Sequence, residues 1–365
     1  MKKAAKLALD VAVEREGFSL AIEHEIALEG ITALYGPSAA GKTTLLRVIA
    51  GLEERARGLV VFDGVVWQDG KTQVPAHARG VGYVFQDARL FGHLTVEGNL
   101  RFAVRHGARR SAAKSVVEFS AVVRELDLAS LLPRRPASLS AGEQQRVAIG
   151  RALLTSPRLL LMDEPLSSLD IGRKREIVPL LERLPAVFGV PVLYVTHNVD
   201  EVARLASSML LLKAGRIVAS GRVEDVLERL DLDDLTGGRD TGAVLHVRVE
   251  AGRRGAAALR LTEQLLHVPV ARLGVGLPLR IRIHARDVAL ATERPRGLSI
   301  RNVLHARILR IDADEPINVD VLLEVDGQHL RSRITRDALE ELALAPGQPV
   351  FALIKSVALE STTPF

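Results

Sequence analysis

Apolar and polar side chains alternate along residues 6–13 (KLALDVAV) and 18–26 (FSLAIEHEI). A period of two is that of a half-buried strand, and Glu16-Gly17 between the two segments predicts a turn. Residues 31–35 (ITALY) form a short unbroken apolar run that enters a glycine-containing loop, after which Thr43–Ala50 takes helical spacing. That order predicts a strand–loop–helix unit. Further apolar runs lie at 81–85 (VGYVF), 158–162 (RLLLM) and 192–196 (VLYVT), with helical patterns such as 143–154 separating several of them. Buried strands alternating with helices predict an α/β domain with a largely parallel sheet. Residues 209–219 (MLLLKAGRIVA) read as a hairpin turning at Ala214-Gly215.

The pattern changes after Leu230. Residues 231–242 (DLDDLTGGRDTG) are acidic and glycine-rich, the composition of a linker. Beyond them most apolar runs alternate: LHVRV, LRIRIHA, HARILRI, VDVLLEV and HLRSRI, separated by Gly, Pro and Asp turns. Short strands at that spacing predict a small β-barrel or sandwich. The expected division is one domain over residues 1–230, a linker and β-rich connecting segment over 231–292, and a second domain over 293–365.

Composition narrows the classes. Of 365 residues, 47% are hydrophobic and 25% charged, which is globular and excludes a disordered chain. A net charge of +5 is too small to argue for nucleic acid or membrane lipid as a partner. There is no cysteine, so disulfides and thiolate metal sites are excluded. No apolar run reaches the length of a transmembrane helix. The N-terminus opens on lysines as a signal peptide does, but its apolar run breaks at Asp10, and Glu14, Arg15 and Glu16 follow. The expectation is a strand of a soluble cytoplasmic protein, which at a membrane would have to dock on a partner.

The chemistry begins at GPSAAGKT, Gly36, Pro37, Ser38, Ala39, Ala40, Gly41, Lys42 and Thr43, followed by Thr44. It fits G-x-x-x-x-G-K-[ST] in full, after a strand and before a helix. Such a loop points backbone N–H groups at phosphate oxygens, and the helix adds its positive dipole end. Lys42 is expected to reach the β- and γ-phosphates of a bound nucleotide and Thr43 to ligate Mg²⁺. In LLLMDEP (159–165) buried apolar residues carry two carboxylates to a strand's C-terminal end. Asp163 suits a Mg²⁺ contact through water, and Glu164 suits polarising the attacking water. In LSAGEQQR (139–146), Ser140 is a candidate N-cap with Glu143 three residues on, a capping box.

With these motifs in this order, the chain resembles the ATP-binding-cassette (ABC) ATPases over residues 1 to about 230. LSAGE resembles the family's signature, Gln86 in VGYVFQD its glutamine loop, Ser168-Leu169-Asp170 its D-loop, and His197 in YVTHN its switch histidine. The resemblance implies a P-loop ABC ATPase domain with an antiparallel β subdomain and a helical subdomain, then a small all-β OB-like (Mop/TOBE) domain. It assigns catalysis to Glu164, His197, Gln86 and Lys42, and Mg²⁺ to Thr43, Gln86 and Asp163. Phe18 is the candidate to stack on adenine; its position equally suits a strand core residue. The resemblance implies a head-to-tail homodimer with each ATP between one phosphate loop and the other subunit's Ser140, Gly142 and Glu143. The segment Asp87–Asn99 and the helical stretch after it would meet a membrane permease dimer. Two motifs depart from the usual pattern. Ala141 and Glu143 replace the commoner glycine and glutamine of the signature, and Ala39 replaces a common glycine. The last is tolerable if φ is negative there.

The string VGYVFQDARLFGHLTVEGNLRF and the motif SIRNVL (299–304) resemble molybdate importer ATPases and their oxyanion-binding Mop domains; Ile354-Lys355-Ser356-Val357 resembles the second strand of that site. A tetrahedral dianion needs hydroxyl, amide and cationic donors, which Ser299, Arg301, Asn302, Lys355 and Ser356 would supply. The implied protein is the ATPase subunit of a molybdate or tungstate importer. It would be peripheral on the cytoplasmic face of the inner membrane and served indirectly by a periplasmic binding protein. A sulfate, ferric-iron or polyamine importer ATPase is the alternative within the class. A non-transport ABC ATPase is the alternative outside it, but the interval from Lys42 to Leu139 leaves no space for a coiled-coil insertion. A molybdate storage protein would not need the ATPase motifs.

Overall fold

The structure is a computed structural model that describes residues 4–107, 117–229, 232, 235, 242–251, 257–269, 274–313 and 316–355. The chain divides into two compact units, Met1–Asn198 with Leu205–Gly221, and Val199–Arg204 with Arg222–Phe365.

In the first unit, β1 (Ala5–Arg15) and β2 (Phe18–Leu28) pair antiparallel from Arg15↔Phe18 to Ala5↔Leu28. Their connection is the predicted turn, with Gly17 at φ 73. β4 (Arg57–Phe62) and β5 (Val65–Gln68) complete a sheet of order β2-β1-β4-β5. The second sheet holds β3 (Ile31–Tyr35), β6 (Val81–Val84), β7 (Leu159–Asp163), β8 (Val192–Thr196), β9 (Ser208–Lys213) and β10 (Arg216–Arg222) in the order β10-β9-β3-β8-β7-β6. The β9-β3, β3-β8, β8-β7 and β7-β6 pairs are parallel. β3, β7 and β8 are buried at every position. That is why their sequences are unbroken apolar runs: a strand covered on both faces has no polar side to alternate with.

Among the described residues five α-helices accompany these strands, α1 (Lys42–Ala50), α2 (Val96–Gly107), α3 (Phe119–Glu125), α4 (Ala141–Leu153) and α5 (Ile171–Phe188), while α6 (Val199–Leu205) falls, but for Leu205, in the second unit. Leu45, Leu46, Val48 and Ile49 of α1 share one core with Leu7, Leu9 and Val11 of the antiparallel sheet and with Leu161, Leu193 and Val195 of the parallel one. α2 and α3 pack on α4. The C-terminal end of α1 is closed by a residue that carries no motif. Arg79 is buried and donates to the carbonyls of Val48 (2.8 Å), Ile49 (2.9 Å) and Val74 (2.9 Å). A cation on the last carbonyls of a helix satisfies groups the helix itself cannot and meets the negative dipole end.

The second unit contains α7 (Val223–Leu227), β11 (Gly242–Glu250), β12 (Ala257–Arg260), β13 (Leu265–Val268), β14 (Pro278–His284) and β15 (Val288–Ala291). It continues with β16 (Asn302–Asp312), β17 (Asn318–Val325), β18 (Gln328–Thr335), α8 (Arg336–Glu341) and β19 (Pro349–Ile354). One sheet has the order β13-β12-β11-β14 and the other β15-β19-β16-β17-β18. The five alternating runs fall on β11, β14, β16, β17 and β18. The segment expected to connect the domains supplies β11 to β15. Its Leu245, Val247, Leu259 and Ile281 share a single core with Leu304, Ile308, Val321 and Leu323. Among the described residues, no helix is long and apolar enough to cross a membrane.

Candidate nucleotide site

Strand order builds the site. The loop after β3 lies beside the end of β8, and β8 lies beside β7, so three neighbouring strand ends deliver Lys42, His197, Asp163 and Glu164 to one edge of the sheet. Gly36 opens the loop against the carbonyl of Leu212. A Cβ at Gly36 would stand 2.2 Å from that oxygen, so only glycine lets the backbone pass. Gly41 caps α1 in the left-handed region at φ 103. A Cβ there would stand 3.0 Å from the ring of Phe18. The adenine candidate thus lies against the phosphate loop, half-buried at the rim of the core. Ala40 accepts from the N–H of Gly215 (3.0 Å), which ties the loop to the predicted Ala214-Gly215 turn.

Ala39 has φ 62. The negative φ on which its tolerance was expected to rest is absent. The residue that replaces glycine occupies a conformation that costs an L side chain about 1 kcal/mol or more.

Lys42 is buried, and its ammonium donates to the carbonyls of Gly36 (2.8 Å) and Pro37 (2.9 Å) within its own loop. Burial lowers its pKa, and the carboxylates of Glu164 and Asp163 oppose that shift. Thr43 donates its hydroxyl to Asp163 Oδ1 (2.9 Å), and Tyr83 donates to Oδ2 (3.1 Å). Burial raises the pKa of Asp163, and these two hydrogen bonds counter the rise. Burial and the neighbouring carboxylate push the Tyr83 hydroxyl up, which keeps it a donor. Tyr83 was not among the sequence candidates. Its only signal is its place on the strand before Gln86.

Thr43 and Asp163 together suit Mg²⁺, a hard cation that keeps water and phosphate ligands rather than an all-protein cage. The described residues hold no group of three or more His, Cys, Asp or Glu that could hold a metal ion. Bound there, Mg²⁺ would neutralise charge on the phosphate oxygens.

Glu164 follows β7 in the left-handed region at φ 46, held by its N–H donating to Val195 (3.1 Å). Strain of this kind persists only where the surroundings enforce it. Its carboxylate accepts from His197 Nδ1 at 3.0 Å. An oriented carboxylate beside a phosphate loop can polarise a water, and the imidazole fixes its direction.

Ser140, Gly142 and Glu143 stand at the start of α4, away from this set in the chain. The capping box is complete. The Ser140 N–H donates to Glu143 Oε2 (2.7 Å), and the Glu143 N–H donates to Ser140 Oγ (3.3 Å). Gln86 is exposed just after β6. The loop beyond it is fastened to α4: Arg151 donates to the carbonyls of Arg89 (2.8 Å) and Ala88 (3.1 Å). Asn99 on α2, fully buried, accepts from the N–H of Phe91 (2.8 Å) and donates to its carbonyl (3.1 Å).

The sequence profile described as ABC transporter matches residues 21–167. The chain is 47% identical to a molybdenum import ATP-binding protein, ModC, of Albidiferax ferrireducens, over 98% of this chain and 97% of that protein. It is 46% identical to a protein of the same name, ModC 1, of Azotobacter vinelandii, over 95% and 96% of the two chains. The chain belongs to the ABC transporter family. Among solved structures, an ATP-binding cassette of an ABC transporter in its ADP conformation is 23% identical. It covers 64% of this chain and 98% of its own at a TM-score of 0.52, a likeness of fold.

The ABC fold accounts for the first unit, and a profile described as TOBE domain matches residues 298–360 in the second. There the oxyanion candidates differ in setting. Asn302 is fully buried, and its amide accepts from the N–H of His267 (2.6 Å) and donates to the same residue's carbonyl (3.2 Å), joining β16 to β13. Ser299, Arg301 and Lys355 are exposed. Asn302 pairs with Ile354 in the β16–β19 register, so Arg301 and Lys355 are the next residues beyond that pair. Ser356 lies outside the described residues.

Proposed function

We propose that this chain is the ATP-hydrolysing subunit of a molybdate importer. The observation that carries the reading is the convergence of Lys42, Thr43, Asp163, Glu164 and His197 on three adjacent strand ends. The names of relatives near half identity over almost the full chain set the substrate class. In this reading the Lys42 ammonium leaves its loop carbonyls for the β- and γ-phosphates. Glu164 polarises the attacking water under the control of His197, and Gln86 approaches the γ-phosphate. Two copies act head to tail on the cytoplasmic face of the inner membrane. Ser140, Gly142 and Glu143 of each close on the other's nucleotide, and Phe18 faces adenine. The segment Asp87–Asn99, pinned by Arg151 and Asn99, supplies a firm surface for a membrane permease. In the second unit Ser299, Arg301 and Lys355 bind molybdate or tungstate, with Asn302 fixing the strand that presents them.

The test is purification of the chain with its membrane partner, followed by ATPase and uptake assays with molybdate, tungstate and sulfate. Stimulation by molybdate or tungstate supports the reading. Stimulation by sulfate alone would assign the chain to the other importers.

A further inference from the structure

Asp163 ends β7 and is buried. A carboxylate taken out of water needs hydrogen-bond donors, and two reach it from different elements. From α1, Thr43 donates to Oδ1 at 2.9 Å; from β6, Tyr83 donates to Oδ2 at 3.1 Å. Thr43 belongs to the phosphate-loop motif, and Tyr83 belongs to no motif. Strand register brings the phenol there. β6 and β7 run parallel with Tyr83 opposite Leu161. Asp163 stands two residues beyond Leu161 and so shares its face of the sheet. Tyr83 packs against the core that contains Leu161, which puts its ring on that same face. The ring lies against Phe85, with centroids 4.3 Å apart.

The two donors do different work. A hydroxyl has lone pairs to spare, so Thr43 can ligate a cation through oxygen and still give its proton to Asp163. Tyr83 holds the other oxygen. A carboxylate held at one oxygen can turn about its Cβ–Cγ bond, and one held at both cannot. The phenol does this without adding charge. A lysine or arginine in its place would offset the negative charge that draws a cation. Partners that orient a metal-binding carboxylate typically contribute ten- to a hundredfold in metal affinity.

We propose that Tyr83 is a positioning residue for Mg²⁺ that acts through Asp163: it fixes the orientation of that carboxylate and so sets how strongly Mg²⁺ tightens nucleotide binding. This rests on the nucleotide-site reading above.

The test uses the full chain and adenylyl imidodiphosphate, an ATP analogue that resists cleavage between its β- and γ-phosphates. Its Kd is measured calorimetrically in Mg²⁺ and in EDTA, for the wild type, Tyr83→Phe, Asp163→Asn and the double variant. Tyr83→Phe keeps the ring against Phe85 and removes only the hydroxyl. Thermal melting establishes that it folds; if it does not, Tyr83→Met carries the test. The expected result is a Kd about tenfold weaker in Mg²⁺ and unchanged in EDTA. In the Asp163→Asn background, Tyr83→Phe should have no further effect. An unchanged Kd in Mg²⁺ would overturn the proposal, as would an equal loss in EDTA or a loss that adds in full to that of Asp163→Asn. A wild-type chain that binds the analogue in neither medium removes the ATPase reading and this inference with it. Wild-type binding that gains nothing from Mg²⁺ removes the cation assignment and this inference but leaves the nucleotide site. A normal Mg²⁺ gain in both the wild type and Tyr83→Phe removes this inference alone.

Discussion

The nucleotide site and the proposed oxyanion site of this chain are built differently. At the nucleotide site the side-chain donors come from adjacent strand ends, and Lys42, Thr43 and His197 are already engaged. Lys42 rests on loop carbonyls, Thr43 on Asp163, and His197 on Glu164. In the C-terminal unit the candidates come from two strand ends. The one with fixed partners, Asn302, uses them to join β16 to β13, while Ser299, Arg301 and Lys355 face solvent. The first site is preorganised by the strand order of its own sheet, which favours chemistry, because catalysis needs donors held before the charge develops. The second is a charged rim on a rigid support, which favours reversible binding.

The largest test of the contrast is Glu164→Gln. Turnover should fall by about a thousandfold while ATP still binds, as single-turnover hydrolysis and a nucleotide-binding titration would report. Near-normal hydrolysis would take Glu164 out of the base role. Arg79→Met asks whether the preorganised half depends on its support. It leaves the carbonyls of Val48, Ile49 and Val74 without their donor and should cost about 3 kcal/mol of stability in denaturant unfolding. On the other side, Arg301→Ala should weaken molybdate binding to the full chain about tenfold in equilibrium dialysis. An unchanged affinity would move the oxyanion site elsewhere. Ala39→Gly relieves the left-handed alanine and should stabilise the protein by up to about 1 kcal/mol, read as a rise in Tm.

Glu143→Gln is the smallest. The Ser140 N–H holds the Glu143 carboxyl below its ordinary value of 4.5. The resulting stability is present above that value and is lost as pH falls through the depressed one. The substitution should cost about 0.3 kcal/mol at neutral pH and remove this acid-side dependence from the unfolding curve.

Local pattern carried much of the fold because the features concerned are local. The turn at Glu16-Gly17, the hairpin at Ala214-Gly215, the helix over 143–154 and the five alternating runs depend on neighbours in the chain. Strand order does not. That β8 lies between β3 and β7 follows from packing across more than a hundred residues, so the motifs named the actors without showing how they meet. Tyr83 and Arg79 were invisible for the same reason: each acts on residues far away in sequence. Periodicity likewise could not reveal that strands β11 to β14 share a core with β16 and β17, because alternation marks a strand's buried face and not what covers it. Ala39 shows the limit at a single residue, since φ there is dictated by the loop and not by the side chain.

Hydrolysis at this site is proposed to drive molybdate across a membrane. Cells lacking their own copy should be supplied with either the wild-type chain or Glu164→Gln, and molybdate uptake measured with sulfate as the control. Restored uptake of molybdate but not sulfate by the wild type, and none by the variant, is the predicted result. Equal molybdate uptake by both chains, or restoration of sulfate uptake alone, would contradict it.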